Sequence, residues 1–109
     1  MDDDFMEMVE RIRELCGFPL PVSSAYRCPT HNAAVSSTGL DGPHTTGRAM
    51  DIRIYGHRAW SLLEAALEVG HFTGIGVAQK NRDRGARFIH LDDLTPDDGF
   101  PSRPWVWSY

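Results

Sequence analysis

Cysteine is scarce in this sequence: Cys16 and Cys28 stand apart, and neither belongs to a Cys-x-x-Cys pair. That excludes a disulfide framework and a thiolate zinc knuckle, and two free thiols are expected, with a single bridge between them as the alternative. Long apolar runs are also missing, so nothing here has the roughly 20 residues of a membrane-spanning helix. A basic leader is missing too, because the chain opens Met1-Asp2-Asp3-Asp4, the opposite of a signal peptide's charged start. A soluble chain made in the cytosol, with no membrane contact, is expected. Positive charge is in deficit, with 11 Lys and Arg against 15 Asp and Glu and a net charge of −4, which argues against a nucleic-acid partner. Repeats, linkers and low-complexity segments are absent. At 109 residues the chain is one domain, too small for a second core.

What is present reads as an α+β order. Asp2 to Asp4 cap and charge-complement a helix in which Phe5, Met8, Val9, Ile12 and Leu15 recur at helical spacing up to Gly17. Pro19 and Pro21 end it, and Val22 to Arg27 reads as an extended segment closing on Arg27. Pro29 to Val35 suits a short helix and Ser36 to Pro43 a surface loop. Arg48 to Tyr55 alternates as a strand. Arg58 to Val69 carries Ala59, Leu62, Leu63, Ala66 and Leu67 on a helical stripe that stops at Gly70. Gly74 to Ala78 and Arg87 to Leu91 read as strands flanking a polar hairpin, and Trp105, Trp107 and Tyr109 alternate at the end of the chain, as core packing or an edge cover.

The chemistry concentrates in two runs: His44-Thr45-Thr46-Gly47-Arg48-Ala49-Met50-Asp51 and Phe88-Ile89-His90-Leu91-Asp92. Period two puts Asp51 on the face opposite Met50 and Ile52, and His90 and Asp92 opposite Ile89 and Leu91, so a carboxylate and an imidazole can meet across a sheet. His44 enters from the loop before, and Gly47 lets the backbone bring it back over Asp51. Two imidazoles and one carboxylate suit zinc with a position left open for water, and on ligand type alone the two-His, one-carboxylate iron site is the nearest competitor. His31, His57 and His71 have no motif partner and are read as non-catalytic.

These runs resemble the zinc D-alanyl-D-alanine carboxypeptidase family, whose relatives include the D,D-dipeptidases, the phage L-alanyl-D-glutamate endopeptidases and the hedgehog fold. The family carries Ser-x-His-x-x-Gly-x-Ala-x-Asp and a later His. Here Gly42-Pro43-His44-Thr45-Thr46-Gly47-Arg48-Ala49-Met50-Asp51 matches at every motif position but the first, and Phe88-Ile89-His90-Leu91-Asp92 matches the later strand of the small single-domain branch. Ser24-Ala25-Tyr26-Arg27 and Asn32-Ala33-Ala34-Val35 resemble the stretch bearing the substrate-binding arginine, and Arg103 to Tyr109 looks like the same branch. The resemblance implies residues 1–109 as a single zinc-peptidase-like domain. Its fold would be a small antiparallel sheet with helices on one side, with Zn2+ on His44, Asp51 and His90, and Arg27 at the substrate.

Two positions depart from the pattern. Gly42 stands where a Ser is usual, and Arg87 stands where many members have a general base, three residues before the final ligand. The candidates for that base are Asp92 and Asp83, and Asp92 can equally be an outer partner that orients an imidazole. Arg27 would anchor a carboxylate or an oxyanion, whereas Arg48 and Arg53 are weaker candidates for that role. The implied activity is zinc-dependent hydrolysis of a peptide bond in bacterial peptidoglycan at a D-amino-acid centre. The stem peptide would be the partner, the protein a monomer, and access to the wall by phage lysis or within a phage particle. The alternative is a metal-binding module without hydrolysis that holds wall peptide or a protein partner in the same cleft.

Overall fold

The computed structural model describes residues 2–24 and 47–109. Helix α1 (Asp3–Cys16) begins where the Asp2 carboxylate accepts from the Phe5 N–H at 2.9 Å, and Asp3 and Asp4 complement the positive end of its dipole. It ends at Gly17, whose φ of 74° is the left-handed conformation that lets its N–H reach the Arg13 carbonyl. Cys16 is a half-buried free thiol; Cys28 lies outside the described residues. Helix α2 (Gly56–Val69) starts two residues before the expected Arg58 and stops at Gly70, φ 83°. Its Ala59, Ala65 and Ala66 are small enough for α1 to pack closely, and Phe5 meets Phe72 edge-on with centroids 6.0 Å apart.

Five strands form one sheet: β1 (Val22–Ser24), β2 (Ala49–Arg53), β3 (Gly74–Ala78), β4 (Phe88–Asp92) and β5 (Trp105–Ser108), in the spatial order β1-β2-β4-β3-β5. The first four pair antiparallel, as expected, whereas β5 runs parallel to β3 and makes the sheet mixed. What the sequence leaves of the Val22 to Arg27 segment after Ser24, with the Pro29 to Val35 helix and the loop to Pro43, lies outside the described residues. The polar hairpin between β3 and β4 carries a short 3₁₀ turn, Arg84–Ala86, and a second, Pro96–Asp98, follows β4.

Alternation divides the sheet. Met50 and Ile52 of β2, Ile75 of β3, and Ile89 and Leu91 of β4 meet Phe5, Val9 and Ile12 of α1 and Leu62 of α2 in one buried cluster. Both helices therefore pack on one side of the sheet, and the opposite face carries Asp51, His90 and Asp92. Two residues assigned to helical stripes stay outside this cluster: Leu15 is 49% and Leu67 69% exposed. A stripe read from periodicity is wider than the face that a small sheet can cover.

Leu62 is fully buried at the centre of this packing, so Leu62→Ala should lower stability by about 2–5 kcal/mol through lost burial and a residual cavity. Urea unfolding measures it, and a loss under about 1 kcal/mol would show that α2 is not seated as described.

Candidate functional site

β4 is central, hydrogen-bonded to β2 on one side and β3 on the other, so both edges of its backbone are held. Asp51 on β2 pairs directly with His90 on β4, and the Asp51 Oδ1 lies 2.9 Å from the His90 Nδ1. The expected meeting of a carboxylate and an imidazole across the sheet is present. His90 is 2% exposed and the Asp51 side chain 15%, so the pair sits in the floor of the face with the carboxylate as its more open member. His44, the other imidazole of the motif, lies outside the described residues, as does Arg27. Among the described residues no three His, Cys, Asp or Glu side chains form a metal-holding group.

The far nitrogen of the same imidazole is also engaged. His90 Nε2 lies 2.7 Å from Asp92 Oδ2, and Asp92 has no solvent exposure. Asp92 accepts from the Arg103 guanidinium through both oxygens, at 3.0 Å from Nε and 2.7 Å from Nη2, and from the Leu94 N–H at 3.3 Å. Burial works to raise the Asp92 pKa, but the His90 and Arg103 partners overcome it and hold the carboxyl below its ordinary range. Burial likewise works to lower the pKa of His90, and its bonds to Asp51 and Asp92 outweigh that and raise it.

Glycines make room for this arrangement. A side chain on Gly74, which faces Asp92 across the β3–β4 ladder, would collide with the Asp92 carboxylate. One on Gly76, which faces His90, would stand 2.6 Å from the Trp107 indole. The Trp107 ring lies against His90 with centroids 5.1 Å apart. Arg103 and Trp107 are the two residues of this site that the sequence reading did not assign. The available signal was the Gly-x-Gly of β3, because glycine inside a strand marks a close approach by another group.

The other candidates lie apart. Arg87 sends its Nε–H to the Asn81 carbonyl at 2.7 Å, and Asp83 caps its own turn by accepting from the Gly85 N–H at 2.9 Å. Arg48 braces the loop after β4, donating to Asp93 at 2.8 Å and Asp98 at 3.0 Å. Burial pushes the Asp93 carboxyl up in spite of Arg48. Arg53, His57 and His71 are exposed. A broad groove of about 1230 Å³ between α1 and the end of α2 is lined by acidic residues including Glu7, Glu14 and Glu68, and neither Asp51 nor His90 reaches it. It is not where the site chemistry is gathered.

The two described donors, a carboxylate oxygen and an imidazole nitrogen, are of the kinds that zinc takes. Oxygen and nitrogen ligands stand about 2.0–2.2 Å from zinc, which puts two donors of one tetrahedral ion about 3.3–3.5 Å apart. The 2.9 Å between Asp51 and His90 needs to open by only a few tenths of an ångström. With Nε2 turned to Asp92, Nδ1 is the nitrogen beside Asp51, the pattern of a metal-ligating histidine whose second nitrogen is held by a carboxylate.

Compared with known proteins, residues 2–92 match the family model described as Peptidase M15. No curated protein and no solved structure matches.

Because a Cβ at position 76 would press on the indole, Gly76→Ala should displace Trp107 from His90 and cost about 1–3 kcal/mol by overpacking. Near-ultraviolet circular dichroism together with thermal unfolding checks it; an unchanged aromatic spectrum would contradict the contact.

Proposed function

The chain belongs to the peptidase M15 family, and on that premise we propose that it is a peptidase that hydrolyses a peptide bond of bacterial peptidoglycan, at a D-amino-acid centre, with zinc held by His44, Asp51 and His90. Whether it acts as a carboxypeptidase or an endopeptidase, the stem peptide is the substrate in this reading. The observation that carries it is the placement of Asp51 and His90 side by side on adjacent strands, downstream of a third ligand candidate in a matched motif. When bound there, the ion supplies Lewis acidity, acidifying a water and polarising the scissile carbonyl.

The chain's own residues set the conditions for that chemistry. Asp51 brings a negative charge that would offset a dication, and the buried imidazole of His90, its direction fixed by the sheet, would bring a neutral donor once Nδ1 gives up the proton it shares with Asp51. Arg27 is proposed to hold a substrate carboxylate or the developing oxyanion, which a planar fork does through two parallel bonds. Asp92 is proposed as the residue that orients His90, because both its oxygens are already taken by His90, Arg103 and the Leu94 N–H. A proton acceptor for hydrolysis then has to come from another group; Asp83, held in its own turn away from Asp51 and His90, is poorly placed for it, which leaves the substrate itself as the candidate.

A second reading, a peptide-binding module without hydrolysis, rests on one observation. Arg87 occupies the usual position of the base and cannot accept a proton, and its side chain is engaged with the Asn81 carbonyl.

Incubating the zinc-loaded protein with whole peptidoglycan and reading the products by mass spectrometry separates these readings. New amino termini are expected and would name the bond; intact wall with retained binding would establish the second reading. His44→Ala, Asp51→Ala and His90→Ala should each reduce zinc content well below one equivalent by elemental analysis, since three ligands leave no redundancy. Unchanged zinc in any variant removes that residue from the site. Arg27→Lys should keep fold and zinc but lose most activity, because an ammonium cannot reproduce the fork. Full activity would mark Arg27 as scaffold.

A further inference from the structure

Arg103 lies beyond the stretch matched by the family model, which ends at Asp92. Yet its guanidinium is held on several sides at the site. The side chain is 7% exposed, it grips Asp92 through Nε and Nη2, and it lies over two aromatic rings, 5.0 Å from the centroid of Trp107 and 5.4 Å from that of Phe100. Its backbone N–H donates to the Phe100 carbonyl at 3.1 Å. The output of this cage is the orientation of one carboxylate, and that carboxylate touches His90.

We propose that Arg103 is a positioning residue of the metal site, which by fixing Asp92 against His90 Nε2 makes Nδ1 the nitrogen offered beside Asp51. The inference rests on the zinc reading above and extends it to a residue outside the ligand set. An isolated carboxylate beside an imidazole can rotate about χ2 and swing away. Asp92 cannot, because its two oxygens are pinned by two different nitrogens of one rigid fork and the Leu94 N–H holds one of them again. The ring of His90 is then clamped along its length, Asp51 at one nitrogen and Asp92 at the other, while Trp107 closes one side. The notch at Gly74 belongs to the same device, because only a residue without a Cβ lets the carboxylate reach this position. Lysine in place of Arg103 would keep the charge but lose the fork.

The competing explanation is that Arg103 merely staples the last strand to the sheet. Val106 provides the control, since it pairs β5 with β3 opposite Ile75 and is 66% exposed on the face of β5 away from Trp107. Zinc affinity is measured by chelator competition on the full chain in wild type, Arg103→Ala, Arg103→Lys and Val106→Gly, with melting temperature alongside. Arg103→Ala should weaken zinc binding about 10- to 100-fold, the usual effect of losing a partner of a metal-bound histidine, and Arg103→Lys should fall between it and wild type. Val106→Gly weakens the strand, so it should melt earlier and bind zinc within about twofold of wild type.

A second readout does not need the metal. In the metal-free wild type, the His90 Nε2 proton should be resolved by nitrogen-15 NMR and protected from exchange, and both Arg103 variants should lose that protection. If the Arg103 variants keep wild-type zinc affinity and a protected proton, the arginine is a staple and the inference falls. A wild type that binds no zinc but whose His90 proton depends on Arg103 would instead overturn the metal reading and leave the orienting chain standing.

Discussion

A carboxylate with no solvent contact, as Asp92 is, survives in a folded protein only when its lone pairs find donors, because the loss of hydration costs on the order of several kcal/mol per ion. Here the donors come from three directions: the neighbouring imidazole on the same strand, a backbone N–H two residues on, and a guanidinium eleven residues on. Much of the surrounding architecture answers to that requirement. Gly74 gives up its side chain to it, the segment after β4 bends to bring Arg103 over it, and the Thr73 N–H and hydroxyl bind the Asp92 and Leu94 carbonyls so that the bend is fixed at both ends.

The two faces of the sheet divide the work. One is apolar and closed by α1 and α2, and it supplies the burial that keeps five short strands together. The other carries charges that would be costly without a stiff frame, and it takes that frame from the central position of β4 between β2 and β3. A ligand on an outer strand would move with edge fraying. His90 does not have that freedom.

Much of this was legible in the residues. Period-two alternation around Asp51 and His90 is enough to put them on one face, and the glycines after α1 and α2 mark both helix ends correctly. The α+β class and the membership of the family follow from the same stretches. The helical stripes gave less: Leu15 and Leu67 fit the periodicity as well as Leu62, and only the finite width of the sheet decides which of them is covered. Arg103 and Trp107 could not be placed from spacing, since the segment between Asp92 and Trp105 has no period to follow and its path depends on β5 choosing β3 in parallel. The aromatic alternation of β5 identifies an edge strand but not its direction.

Because β5 runs opposite to β4 but lies on the far side of β3, the chain leaving Asp92 has to pass over the beginning of β3 before it can pair. That crossing carries Arg103 over Gly74, where the carboxylate is buried, so closing the sheet and balancing its buried charge are one event in the path of the chain. A domain cut at the end of the recognisable motif would keep the two strands that hold Asp51 and His90 and leave the buried Asp92 without its guanidinium. Modularity in this protein is therefore set by where charge closes, eleven residues beyond the end of the stretch that matches the family model.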